Sequence, residues 1–235
     1  MRFKKFCKKI ISTFFIAPYD DIILTVREKK LTYLSQEKLV AVYDAVKSTN
    51  HLDGILIEAG CALGGSGIVI AKAKADNKDL YIYDIFGQIP PPSEKDGEDV
   101  HARYATIAGG KSTGIGGELY YGYRENLLDQ VKENFKQCGI ELSDKIHFVK
   151  GLYQDTLKIS SPVSFAHIDC DWYESVMICL EQIIPNLMVG GLVIIDDYVA
   201  WSGCRRAVDE YLSRIENNGK FKISIDRKLL LQRLS

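Results

Sequence analysis

The 235-residue sequence has no apolar run long enough to cross a bilayer, which takes about 20 residues in a helix. Nor does it have an excess of charge of either sign, since 30 basic residues face 31 acidic ones for a formal net charge of -1. Nothing therefore draws the chain as a whole to a polyanion, and nucleic acid is not expected as a partner. Paired cysteine spacing is missing too: Cys7, Cys61, Cys138, Cys170, Cys179 and Cys204 are scattered, with no C-x-x-C. That disfavours a secreted disulfide framework and leads us to expect a reducing, cytoplasmic setting. Internal repeats and low-complexity tracts are absent as well. What is present, 46% hydrophobic and 26% charged residues, suits one globular domain.

The N-terminus places Arg2, Lys4, Lys5, Lys8 and Lys9 before the apolar stretch Ile10 to Ala17, roughly the order of a signal peptide. Ser12 and Thr13 interrupt that stretch, Pro18 ends it, and no small-x-small cleavage site follows. Residues 1–34 are read instead as an amphipathic arm that packs on the domain or on a partner subunit. Transient contact with an anionic membrane surface is a second option, without stable insertion.

From Ser35 the periodicity becomes regular. Leu39, Val42, Tyr43 and Val46 recur at helical spacing behind a capping Ser, predicting a helix over 35–49. Short apolar runs at 54–58, 80–84, 146–151, 163–169 and 192–196 read as strands. Helical stretches at about 66–75, 127–138, 172–187 and 204–215 separate or follow them, and this alternation implies a parallel sheet with covered faces. The runs 221–225 and 229–233, joined by Asp226-Arg227-Lys228, predict a closing antiparallel hairpin. The expected fold is α/β and Rossmann-like: a seven-stranded, mostly parallel sheet of the kind many S-adenosylmethionine-dependent methyltransferases use, spanning 35–235. Residues 85–126, with Pro90-Pro91-Pro92 and the glycines of GGKSTGIGG, show no good period. They read as a lid or substrate-binding insertion, or else as a flexible linker.

Two stretches carry chemistry. After the first strand, Glu58-Ala59-Gly60-Cys61-Ala62-Leu63-Gly64-Gly65-Ser66-Gly67 joins strand to helix. Glycines there let backbone approach a ligand, and the helix start offers free N–H groups. The spacing is neither G-x-G-x-x-G nor a Walker A loop, and a purely structural turn is the competing reading. The second strand ends at Asp84, an acid placed to accept both ribose hydroxyls of an adenosyl cofactor, or simply to brace a turn.

The other stretch is acidic. Asp169 and Asp196-Asp197 follow apolar strands at equivalent topological positions, and in a parallel sheet such ends converge where ligands bind. Clustered carboxylates repel unless something compensates. Oxygen-only ligands point to Mg²⁺, or to Ca²⁺ or Mn²⁺, before Zn²⁺. Asp171 with Glu174 also fits a local capping box, and Asp197 a turn brace before a helix start at Ser202. His167, inside a strand, reads as a hydrogen-bonded core residue. Tyr120, Tyr121 and Tyr123 offer flat faces to a sugar ring or fill a core, and Arg124 reads as a surface ion pair.

HIDCDWYES, IIDDYVAWSGCRRAVDEY, EAGCALGGS, GEDVHARYATI and YYGYRENL resemble the macrocin O-methyltransferase family over about residues 31–212. Members methylate sugar hydroxyls of macrolides and sugar or phenolic hydroxyls of other natural products. The resemblance implies S-adenosylmethionine and Mg²⁺ as cofactors, a saccharide or small-molecule acceptor, and a homodimer or larger homo-oligomer. It implies Asp169, Asp196 and Asp197 as metal ligands and Asp171 as general base. Glu58, Gly60, Gly64, Ser66 and Asp84 fall on its cofactor contacts, and Thr32, Tyr33 and Ser35 on a segment that closes over the cofactor. Three competing readings are a metal-dependent hydrolase, which leaves Gly60 and Asp84 without a role, a non-catalytic binding or assembly protein that kept the fold, and a catechol-type O-methyltransferase, which uses the same metal geometry.

Overall fold

The computed structural model describes residues 20–215 and 219–235. The basic and apolar N-terminal stretch, residues 1–19, lies outside the described residues. From residue 20 onward the chain packs on the domain. Helix α1 (Asp20–Glu28) buries Ile22, Ile23 and Val26, and Leu31 and Leu34 follow them into the same core.

Helix α2 (Gln36–Thr49) starts where the sequence predicts, with Ser35 as N-cap accepting from the Lys38 amide. Strand β1 (Ile55–Ala59) leads through the glycine turn into α3 (Gly65–Ala73), and β2 (Leu80–Asp84) follows. After the insertion come α5 (Leu127–Gln137), β3 (Ile146–Lys150), the single-turn α6 (Tyr153–Thr156) and β4 (Val163–Ile168). Helix α7 (Tyr173–Ile183), β5 (Leu187–Ile195) and α8 (Ser202–Arg214) precede the hairpin of β6 (Phe221–Ile225) and β7 (Leu229–Arg233). The strand order is β3-β2-β1-β4-β5-β7-β6, with β7 the antiparallel member.

Side chains alternate across the sheet, so it carries two cores. Leu56, Leu80, Ile82, Phe165 and Ile194 face α1, α2, α3 and α5, whereas Ile57, Ala59, Ala166, Val193 and Ile195 face α7 and α8. The Rossmann-like α/β architecture expected from the sequence is therefore present, with helices on both faces.

Two boundaries differ from expectation. The helix expected over 172–187 ends at Ile183 and passes through a 3-10 turn at Ile184–Asn186, where Pro185 lacks the N–H an α-helix needs. Strand β5 then begins at Leu187, and the register jumps between Val163↔Leu187 and Phe165↔Leu192, so the Gly190-Gly191 pair is absorbed as a bulge. The stretch 85–126 also holds a helix the periodicity did not reveal, α4 (Glu98–Ala108). Only Val100 and Ile107 of α4 are buried, too thin an apolar stripe to register. Cys61, Cys138, Cys170, Cys179 and Cys204 are free thiols.

Candidate active site

Beyond the carboxyl ends of β1, β2, β4 and β5 lies a cavity of about 780 Å³. The sheet itself brings its acids together. Past the last ladder residues, the Asp169 N–H donates to the Ala59 carbonyl at 2.8 Å and the Asp196 N–H to the Ile168 carbonyl at 3.0 Å. Consecutive strand ends thus step their aspartates into one opening.

On the β1–β2 side, Gly60 has φ +90°, and a Cβ there would lie 2.0 Å from the Asp169 carbonyl oxygen. Only glycine lets these two strand ends cross so closely. Asp84 is buried; its Oδ2 accepts the Cys61 N–H at 2.8 Å and its Oδ1 the Phe86 N–H at 2.6 Å. Burial raises the Asp84 pKa, and these amides hold part of that rise back. Ala62 and Phe86, on either side, adopt positive φ of 46° and 47°, a conformation non-glycine residues rarely take outside functional turns.

On the β4–β5 side, Asp169, Asp171 and Asp197 each bring one oxygen within 4.8 Å of the others. Asp171 has φ 61°. Burial first and the neighbouring Asp197 and Asp196 charges next raise Asp169 well above the usual carboxylate range. Asp171 is raised likewise by burial and by Asp197. Asp197 is also raised, by burial and then by Asp196, although hydrogen bonding to Asp171 and Asp169 and the Lys38 charge pull it the other way. The fourth acid, Asp196, is tied to Lys38 at 2.7 Å. Asp196 Oδ1 and Asp197 Oδ2 are buried and have no hydrogen-bond partner among the described residues. Orphaned oxygens among mutually repelling carboxylates fit a hard divalent cation. Asp169, Asp171 and Asp197 converge most closely, and Asp196 stands beside them.

Tyr33, Ser35, Gly60, Asp84, Asp169, Asp171, Asp196 and Asp197 all border the cavity. Four sequence-derived candidates do not. Glu58 lies below it, fully buried, bonded to the Ser66 hydroxyl and to His167 Nδ1 at 3.0 Å. Gly64, at φ +93°, faces Val131 and Phe135, and the Thr32 hydroxyl accepts the Leu34 N–H at 3.1 Å. His167 is the buried core residue the sequence suggests; burial lowers its pKa, but Glu58 outweighs that and the net shift is upward.

Tyr120 and Tyr121 border the cavity, whereas Tyr123 is structural, donating to the Ile107 carbonyl at 2.5 Å. Burial raises the Tyr120 pKa to about 12. Arg124 pairs with Glu118 at 3.6 Å, away from the cavity. The Asp171–Glu174 cap suggested by the sequence does not form, whereas Asp197 braces the turn before α8 through its carbonyl, which accepts the Ala200 and Trp201 N–H groups at 3.0 Å. Trp172 and Trp201 occupy the N-cap positions of α7 and α8 without a capping side chain, and the helix-start amides are met by Asp96 and Asp99 of the insertion.

Sequence reasoning also missed Lys38, Arg103, Trp172 and Trp201, all at the cavity. The tryptophans flank the aspartate motifs, the one signal that was available. Among the described residues Arg103 makes no ion pair; its guanidinium lies 5.5 Å from the Tyr120 ring centre.

A sequence profile described as macrocin-O-methyltransferase (TylF) matches residues 30–227. An 8-demethyl-8-(2,3-dimethoxy-alpha-L-rhamnosyl)-tetracenomycin-C 4'-O-methyltransferase of Streptomyces olivaceus is 33% identical over 167 residues, 68% of this chain and 59% of that protein. A demethyldecarbamoylnovobiocin O-methyltransferase of Streptomyces niveus is 28% identical over 189 residues, 76% of this chain and 65% of that protein. The chain thus spans about 59% and 65% of these relatives' lengths. Among solved structures, the O-methyltransferase NovP superposes with a TM-score of 0.74 at 23% identity, covering 92% of this chain and 96% of its own. The calicheamicin methyltransferase CalS11 reaches 0.63 at 14% identity, covering 94% and 87%.

Proposed function

The chain belongs to the macrocin-O-methyltransferase family, and from that premise we propose that it transfers a methyl group from S-adenosylmethionine to a hydroxyl of a sugar or glycosylated natural product. The observation that carries the proposal is one cavity holding both a backbone-braced acid at the end of β2 and a carboxylate cluster with orphaned oxygens at the ends of β4 and β5. Relatives whose names specify a rhamnosyl 4'-O-methylation and a novobiocin-precursor O-methylation support the substrate class.

In this reading, residues 35–235 form the methyltransferase domain and 85–126 its acceptor wall. Asp84 uses its remaining lone pairs to accept ribose hydroxyls, and the Gly60 turn lets the donor approach the backbone. Tyr33 and Ser35 close the donor side. Asp169 and Asp197, with Asp196 beside them, would hold Mg²⁺, and Asp171 lies in the same cluster. When bound, the donor would supply an electrophilic methyl group, its S–CH₃ bond breaking to release S-adenosylhomocysteine, and Mg²⁺ would lower the acceptor hydroxyl's pKa. Asp171, a carboxylate at the edge of this cluster, accepts the hydroxyl proton. The cavity walls orient the acceptor and keep water out.

The test is calorimetric titration with S-adenosylmethionine, with and without Mg²⁺, and NADH as control. Micromolar binding of the methyl donor, and none of NADH, is expected. Mg²⁺ binding without donor binding would overturn the proposal in favour of a metal-dependent hydrolase.

A further inference from the structure

The two helices that follow the aspartate turns start without caps of their own, and the insertion supplies both. Asp96 Oδ1 accepts the Tyr173 N–H at 2.8 Å, and Asp99 Oδ2 accepts the Ser202 N–H at 3.0 Å. The Ser202 hydroxyl also donates to Asp99. Asp96 Oδ2 takes the Ser93 N–H at 2.9 Å and the Ser93 hydroxyl at 3.2 Å, so both oxygens of this 7% exposed side chain are used. A negative group at a helix start also meets the positive end of the backbone dipoles.

Two glycines are matched to this arrangement. A Cβ on Gly203 would sit 1.9 Å from Asp96 Oδ1, and one on Gly97 would sit 2.3 Å from the Ser202 hydroxyl oxygen. Further ties run in parallel: Trp172 Nε1 donates to the Pro90 carbonyl at 3.0 Å, and Arg206 to the Lys95 carbonyl at 3.0 Å. The fastened segment, 90–99, runs directly into α4, which carries Arg103 and Ile107 into the cavity wall. Tyr173 lies two residues beyond Asp171, whose positive φ of 61° needs such bracing.

We propose that Asp96 and Asp99 are positioning residues that clamp the insertion to the first turns of α7 and α8, so that the carboxylate turns and the acceptor wall form one rigid unit before any ligand arrives. The inference rests on the methyltransferase reading only for what the unit accepts. It predicts that the insertion is a fixed wall and not a mobile lid.

Hydrogen exchange on the full chain, with separate titrations of Mg²⁺ and S-adenosylmethionine, tests it. Amides of 98–108 should be protected in the ligand-free protein. Asp96→Ala should expose them and weaken Mg²⁺ binding roughly 10- to 100-fold, the usual effect of losing a support behind metal ligands, with donor affinity within about twofold. Gly203→Ala displaces the Asp96 carboxylate without removing a charge and should do the same, which keeps the test open if Asp96→Ala fails to fold. Asp96→Asn keeps an oxygen for the Tyr173 N–H but turns its amide NH₂ toward the Ser93 N–H, so it should restore both readouts only in part. Unchanged exchange in the Asp96→Ala and Gly203→Ala proteins would overturn the clamp, as would a parallel loss of Mg²⁺ and donor binding that follows melting temperature alone. A wild-type protein that binds no methyl donor would end the methyltransferase reading, and the exchange result would then decide the clamp by itself.

Discussion

The strands on either side of β1 both lead into aspartates, and the two ends are built in opposite ways. At the end of β2, Asp84 is buried with an amide donating to each oxygen, at 2.8 and 2.6 Å. Past β4, Asp169 meets Asp171 and Asp197 within 4.8 Å, and the neighbouring oxygens Asp196 Oδ1 and Asp197 Oδ2 have no partner among the described residues. The fold itself compensates one buried acid with backbone amides and, Asp196 apart, leaves the others facing one another. A carboxylate already braced by backbone can offer its spare lone pairs to neutral hydroxyls. Carboxylates that face only one another call for a cation.

The sharpest way to separate the two ends is to neutralise one acid in each. Asp171→Asn should lower methyl transfer about 10²- to 10⁴-fold, the range for losing a general base, with donor affinity unchanged. A rate within a few-fold of wild type would remove Asp171 from the proton-transfer role. Asp84→Asn should act in the reverse sense, weakening donor binding by roughly 10- to 150-fold, equivalent to about 1.5–3 kcal/mol for hydrogen bonds to a charged group. Its Mg²⁺ affinity should stay the same. Because an amide NH₂ would then face a backbone N–H, the variant should also lose about 1–3 kcal/mol of stability in denaturant. If both variants lost both ligands equally, the two ends would not be separate devices.

This division was only half legible in the sequence. The strand at 80–84, the hairpin at 221–225 and 229–233, and the Ser35 start of α2 follow from period, turn chemistry and capping, which are local, and the structure has them there. That Asp169 and Asp197 meet follows from parallel topology, whereas the third acid that joins them is Asp171, and Asp196 is drawn to Lys38. What was not legible depends on residues far apart in sequence. Lys38 reaches Asp196 across 158 residues, and Asp99 reaches Ser202 across 103. The capping box suggested by Asp171 and Glu174 was locally sound, yet Asp171 turns into the cavity and Asp96 takes the amide instead. Helix α4 escaped because it buries only Val100 and Ile107 and meets α8 through the polar Asp99–Ser202 pair, which leaves little hydrophobic period behind.

Lys38 sits where the comparison is closest to failing, because it gives one acid of the cluster an internal partner. Its Nζ lies 2.7 Å from Asp196 Oδ2, with side chains 20% and 7% exposed. Lys38→Met leaves that carboxylate uncompensated. Removing one partner of a buried pair costs about 3–5 kcal/mol, and partial exposure of Lys38 reduces this to roughly 1–3 kcal/mol in metal-free protein. Saturating Mg²⁺ should recover most of the loss in a denaturation experiment. An equal loss with and without Mg²⁺ would mean that the lysine acts on packing alone.

The smallest effect is a dependence of stability on pH that metal should suppress. Asp169, Asp171 and Asp197 are raised, by burial first and by one another second. In metal-free protein the folded state therefore binds more protons than the unfolded chain at any pH between the ordinary carboxylate value, roughly 4, and the raised ones. Stability must then fall as pH rises through that window. Asp84 and His167 are raised too and contribute with the same sign, but neither belongs to the converging aspartates. Mg²⁺ bound there would hold the cluster ionised and stabilise the folded state more as protons leave, so it should flatten the aspartates' share of the slope while the share of Asp84 and His167 persists. Denaturation in EDTA and in Mg²⁺ across that range measures both shares. A slope that Mg²⁺ leaves untouched would assign the pH dependence to the braced acid and the core histidine, and would show that the carboxylate cluster is not where the cation binds.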